Sequence, residues 1–176
     1  MVVKANGGIW AIVLMGVSGC GKTTIGQKLS ESLGWVFIEG DNFHPEENIQ
    51  KMASGIPLTD EDRQPWLETL HNQLQAHQKD GLSAILACSA LKECYRQTLR
   101  GELKGIGLVF LKGDFHLIQK RMQERAHFMK AEMLQSQFDV LEEPGNALIV
   151  DIRDSSDMIV QQIVKKYIGT TPPVFL

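Results

Sequence analysis

The chain of 176 residues has no apolar run near the length of a membrane span, and its first residues show no signal-peptide layout. It has no block of Lys or Arg long enough to track a nucleic-acid backbone, and its net charge is −3. Neither a membrane nor DNA or RNA is therefore expected as a main partner. Cys20, Cys88 and Cys94 are odd in number and form no C-x-x-C pair, which speaks against zinc and a disulfide framework and leads to the expectation of a reducing cytoplasm. No internal repeat and no linker divides the chain. Hydrophobic residues at 43% and charged residues at 22% give an ordinary globular balance, so one domain over 1–176 with a real core is expected.

What the chain does have is concentrated in WAIVLMGVSGCGKTT, residues 10–24. Residues 10–15 are continuously apolar, as in a strand buried on both faces. Gly16, Gly19, Gly21, Lys22 and Thr23 then fill the pattern G-x-x-x-x-G-K-[ST]. Glycines let main-chain N–H groups curl around a polyphosphate, and a helix starting near Lys22 points its positive end at the same anion. Lys22 can balance charge on the β- and γ-phosphates, and the Thr23 hydroxyl can ligate Mg²⁺. A glycine-rich turn between strand and helix is the plain alternative. With a strand before and a helix after, the pattern predicts a nucleoside triphosphate site on this loop.

Periodicity predicts strands near 36–38, 83–88, 107–111 and 147–151, alternating with helices near 24–33, 45–54, 59–79, 91–100, 114–125, 131–141 and 156–167. Thr59 is a suitable helix cap, and Pro65 leaves open a later start for that helix. Met158, Ile159, Ile163 and Val164 are expected to face inward, as are Ile49 and Met52. Strands alternating with helices imply an α/β fold of three layers: a five-stranded parallel sheet covered by helices on both faces, of the P-loop nucleotide-kinase type.

In such a sheet ligands bind beyond the carboxyl ends of the strands. Asp41, just after the second strand, is the candidate general base for a substrate hydroxyl; a turn or cap aspartate is the alternative. Glu39 either supports Mg²⁺ through water or is a solvated strand end. His44, Lys51, Arg63 and Lys92 suggest a cationic pocket for a polyhydroxy acid or a phosphorylated acceptor. Ser89 follows the third strand. Arg121 and Arg125 lie one helical turn apart, placed either to close over the transferring phosphate or simply to complement a helix C-terminus.

Together LMGVSGCGKTT, EGDNFHPEENIQKMASGIPLTDEDRQPWL, ACSALKECYR, LKGDF and MLQSQFDVLEEP resemble the gluconate kinase (gluconokinase) family from about residue 12 to 151. The resemblance implies ATP-dependent phosphorylation of D-gluconate at its 6-hydroxyl, giving 6-phosphogluconate. It implies ATP and Mg²⁺ at Gly16, Val17, Ser18, Gly19, Cys20, Gly21, Lys22, Thr23 and Thr24, Asp41 as base, and His44, Lys51, Arg63, Ser89 and Lys92 around gluconate, with Arg63 or Lys92 on the substrate carboxylate. Arg121 and Arg125 would act from a lid around 121–138. The family's bacterial members are soluble homodimers, so a dimer is implied too. Two departures stand out: Glu39-Gly40-Asp41 replaces the family's Asp-x-Asp, and only Ala126 separates Arg125 from His127, where the family has a residue plus glycine. Shikimate or nucleoside monophosphate kinases are the nearest rivals. An ATP-driven switch that transfers nothing belongs to a different class, and an acceptor base at Asp41 argues against it.

Overall fold

The computed structural model describes residues 8–124 and 131–169. Strands β1 (Ala11–Met15), β2 (Val36–Glu39), β3 (Ala84–Ala87), β4 (Ile106–Lys112) and β5 (Leu148–Asp151) form one sheet in the order β2-β3-β1-β4-β5. Every pairing is parallel, with Val13 opposite Leu86 on one side and Leu108 on the other. Helices α1 (Lys22–Leu33), α2 (Glu46–Ala53), α3 (Asp60–Lys79), α4 (Glu93–Arg100), α5 (Phe115–Glu124), α6 (Ala131–Val140) and α7 (Ser156–Tyr167) follow the expected alternation. The fold is the α/β three-layer type that the sequence predicts.

The period of two along β1 divides the core. Ile12 and Leu14 pack with Ile25 and Leu29 of α1 and Ile159 and Ile163 of α7. Ala11, Val13 and Met15 face the other way, onto Trp66, Leu70 and Leu74 of α3 and Leu99 of α4. A strand buried on both faces must be apolar at every position, which is why 10–15 reads as one run. Each fully buried Leu or Ile contributes roughly 1.5–3 kcal/mol relative to exposure.

Two local expectations need correction. Met158 is 52% exposed and Val160 takes the inward place beside Ile159, while Ile49 of α2 is 44% exposed and Asn48 is the buried residue there. A polar side chain replaces an apolar one in α2 because it has hydrogen-bonding work to do, described below. Helix α3 starts at Asp60 despite Pro65. Its first turn is closed by a capping box, in which Asp62 N–H donates to Thr59 Oγ1 (3.2 Å) and Thr59 N–H to Asp62 Oδ2 (3.0 Å). Asn48 Nδ2 also donates to Asp62 O at 2.8 Å, just before the proline interrupts the ladder.

The chain leaves β1 for β2 on one side of the sheet and β3 for β4 on the other. The crevice beyond the carboxyl ends of β1 and β3 is thus where a ligand site is expected.

Candidate functional site

The loop between β1 and α1 opens on that crevice. Its N-terminal half is pinned from below: Gly16 N–H donates to Ser89 O (3.2 Å), and Cys20 N–H to Val17 O (3.3 Å). The side chains of Val17 and Cys20 are turned into the core, so only their backbone is available to a ligand. Lys22 Nζ donates to Gly16 O (2.9 Å) and Val17 O (3.1 Å), which keeps the ammonium over the loop. The first N–H groups of α1 have no intrahelical acceptor and point into the same space.

Thr23 Oγ1 donates to Glu39 Oε2 at 2.6 Å, joining the loop to the end of β2. A hydroxyl and a carboxylate at one point are the hard oxygen donors that Mg²⁺ prefers. Among the described residues no group of three or more His, Cys, Asp or Glu forms a closed metal cage. Magnesium in kinases takes few protein ligands and keeps water and phosphate oxygens, so this donor pair fits it.

Residues Gly40–Phe43 form a single 3₁₀ turn after β2. A Cβ on Gly40 would lie 2.4 Å from Ala87 O, so only glycine lets this turn rest on the end of β3. Trp66 Nε1 donates to Gly40 O at 2.8 Å and fixes the turn to α3. Asp41 is thereby carried outward, its side chain 72% exposed in the crevice.

Below it, the His44 ring stacks on Trp66 with centroids 4.0 Å apart and planes 16° from parallel. The Asn48 amide, whose other N–H serves Asp62 O, lies 3.4 Å from His44 Nδ1. Nδ1 therefore accepts and Nε2 carries the proton, 4.0 Å from Asp41 Oδ1. Burial pushes the His44 pKa below its ordinary value, and Arg63 adds to this while Asp41 opposes it.

A cleft of about 650 Å³ gathers these groups. The loop lines it through Ser18, Gly19, Gly21, Lys22, Thr23 and Thr24. Glu39, Asp41, His44, Arg63 and Ser89 line it as well, as do Arg121 and Met122 of α5 and Met133, Ser136 and Gln137 of α6. Arg63 enters with its guanidinium 5.6 Å from the Tyr95 ring centroid. A smaller cavity of about 330 Å³, under α4 and beside residues 144–146, contains none of the predicted site residues.

Lys51 and Lys92 are not brought into the cleft lining. Lys51 Nζ pairs with Asp62 Oδ1 at 2.7 Å, and Lys92 Nζ with both Asp60 oxygens at 2.8 Å. Tyr95 also donates to Asp60; the bonds from Lys92 and then Tyr95 hold the Asp60 carboxyl below its usual range, while burial, then the bond to Asp60, pushes the Tyr95 phenol up to about 12. Arg125 lies outside the described residues. Asn48, Trp66 and Gln137 were not anticipated. Asn48 stands one helical turn after His44, a spacing that could have suggested it; for Gln137 no local signal exists.

The family model for the AAA domain matches residues 12–144. The chain is 42% identical over 162 residues to the thermoresistant gluconokinase of Escherichia coli (strain K12), covering 88% of this chain and 93% of that one. It is also 42% identical over 160 residues to the gluconokinase of Gluconobacter oxydans (strain 621H), covering 89% and 90%. A crystal structure of a gluconokinase from Sinorhizobium meliloti 1021 superposes with a TM-score of 0.80 at 40% identity, over 92% of this chain and 90% of that one. The Mycobacterium tuberculosis APS kinase CysC, at 17% identity and a TM-score of 0.69, shares the fold alone. A phosphate loop, an aspartate lining the same cleft and these long matches lead to one assignment: the chain belongs to the gluconokinase family and carries its AAA domain.

Proposed function

We propose that this protein is a gluconokinase that moves the γ-phosphoryl group of ATP to the 6-hydroxyl of D-gluconate, giving 6-phospho-D-gluconate and ADP. The observation that carries the reading is that Asp41 and Arg63 share one cleft with the phosphate loop. A nucleotide cradle, a carboxylate and a guanidinium without an ion-pair partner among the described residues are the three parts needed to transfer phosphate to a hydroxy acid.

Phosphoryl transfer asks the protein for position and charge rather than covalent chemistry. The loop amides and Lys22 bind the polyphosphate. Asp41 orients the acceptor hydroxyl and takes its proton as the oxygen attacks phosphorus in line. His44, neutral through burial, offers Nε2–H to the polyol or to Asp41. Arg63 receives the gluconate carboxylate as a planar fork, with Ser89 nearby as a smaller polar contact. Lys51 and Lys92 then act one step back, holding Asp62 and Asp60 on the helix that carries Arg63. Arg121 reaches the transferring group from α5, with Arg125 proposed beside it. The 121–138 region is proposed as a lid on this single domain, and of its described residues Arg121, Met122, Met133, Ser136 and Gln137 line the cleft. Mg²⁺, held by Thr23 and through water by Glu39, would neutralise charge between the β- and γ-phosphates.

No helix among the described residues is long and apolar enough to cross a membrane. A cytoplasmic homodimer acting on a small molecule is proposed on family grounds, and light scattering after gel filtration checks the assembly. The reaction is tested by incubating the protein with Mg-ATP and gluconate and identifying the product by ³¹P NMR. A phosphomonoester coupled to the C6 methylene supports the reading. Formation of inorganic phosphate alone contradicts it.

A further inference from the structure

The crest of the phosphate loop is fastened by a residue from the far end of the chain. Ser18 N–H donates to Gln137 Oε1 at 2.7 Å, and Gln137 Nε2 donates back to Ser18 Oγ at 3.0 Å, across 119 positions of sequence. Elsewhere the loop is held by its own surroundings, through Ser89, Val17 and Lys22. Ser18 and Gly19 are different: among the described residues their backbone makes no hydrogen bond to other backbone. Gly19, at φ +80°, is met only sterically, since a Cβ there would lie 2.5 Å from Met122 Cγ. The polar hold on the crest is Gln137.

Gln137 is itself well anchored. Leu134, one turn earlier on α6, is 1% exposed in the core, and Phe138 packs edge-on against Phe115 with centroids 5.7 Å apart. Two hydrogen bonds from a helix packed against the core restrict both the peptide plane and the side chain of Ser18. A cradle of amides binds an anion well only when those amides already converge, because ordering them during binding costs affinity.

We propose that Gln137 is a positioning residue for the phosphate loop: by clamping Ser18 from α6 it presets the loop for the triphosphate and makes ATP affinity depend on α6. Gln137 touches neither reacting atom. It acts through Ser18, on the nucleotide side of the cleft and not on the acceptor side. The proposal rests on the nucleotide-kinase reading above.

The variant to build is Gln137→Met, which keeps the length and volume of the side chain and removes both hydrogen bonds. ATP affinity is measured by calorimetry without gluconate, and kcat, the gluconate KM and the melting temperature are then measured on the same preparation. The expected result is ATP binding weakened roughly tenfold, with kcat at saturating ATP and the gluconate KM within about twofold of wild type. Ser18→Ala, which loses only the hydroxyl half, is expected to weaken ATP by about threefold and to add nothing further in the Gln137→Met background. An unchanged ATP affinity in Gln137→Met, beside a wild type that binds, overturns the clamp and leaves the kinase reading standing. Equal losses for ATP and gluconate with a lowered melting temperature also overturn it, since they mark a merely structural residue. A wild type that binds no ATP overturns both.

Discussion

Trp66→Phe tests whether α3 holds in place the turn that carries Asp41, the proposed base. Trp66 is 1% exposed, stacks on His44 at 4.0 Å and donates from Nε1 to Gly40 O at 2.8 Å. Phenylalanine retains an aromatic ring but loses the donor and half of the indole. A buried carbonyl left without its donor costs about 1–3 kcal/mol, and the void left by the indole adds about 1 kcal/mol. The expected loss of about 2–4 kcal/mol lowers the melting temperature of a chain this size by about 5–15 °C. Because Gly40 precedes Asp41, the same change loosens the proposed base. Below the new melting temperature, kcat/KM for gluconate should fall about tenfold while ATP affinity stays near wild type. Differential scanning calorimetry and an ADP-release assay read the two effects. A melting temperature within about 2 °C of wild type together with normal gluconate turnover would refute the reasoning.

Three further outcomes follow from the same geometry. Asp41→Asn should lower kcat by about 10²–10⁴-fold with ATP binding retained, and an unchanged kcat removes Asp41 as the base. Arg63→Ala should raise the gluconate KM about 10–100-fold, the worth of a charge-assisted contact, and leave the ATP constant alone; the reverse pattern would place the carboxylate elsewhere. Acidification should destabilise the fold in two windows. His44 has a folded pKa below its ordinary 6.5, so as pH falls through 6.5 the unfolded chain takes up a proton that the folded one refuses. Stability is therefore lost from pH 6.5 down to the lower folded value, and Asp60 and Asp62, also lowered, withdraw theirs as pH drops below 3.8. Melting temperatures measured across pH should slope in the first window for wild type and much less for His44→Gln; equal slopes refute the assignment.

The layers, the sheet and the phosphate loop were legible because each rests on local pattern. The apolar run of β1 and the glycines after it occupy neighbouring positions, and Asp41 follows its strand directly. The rest depends on partners distant in sequence. The acids Asp60 and Asp62 suit the positive end of α3, but only the folded chain shows them claiming Lys92 and Lys51, which drew those two cations out of the cleft lining. Ile49 had the periodicity of a core position, yet Asn48 was buried in α2 because His44 Nδ1 and Asp62 O both needed its amide. Pro65 suggested a later start to α3, and the capping box of Thr59 and Asp62 outweighed it. Gln137 meets Ser18 through tertiary packing alone, a contact that no periodicity encodes.

The central claim, an ATP-dependent kinase whose acceptor is gluconate, is met most directly by coupled ADP release. The assay uses Mg-ATP with gluconate, shikimate, other sugar acids, neutral sugars and AMP in parallel, with Lys22→Ala as the control for the loop. The account predicts strong stimulation by gluconate, none by AMP or neutral sugars, and loss of turnover in Lys22→Ala. Stimulation by a different acceptor, or turnover indifferent to gluconate, would contradict it.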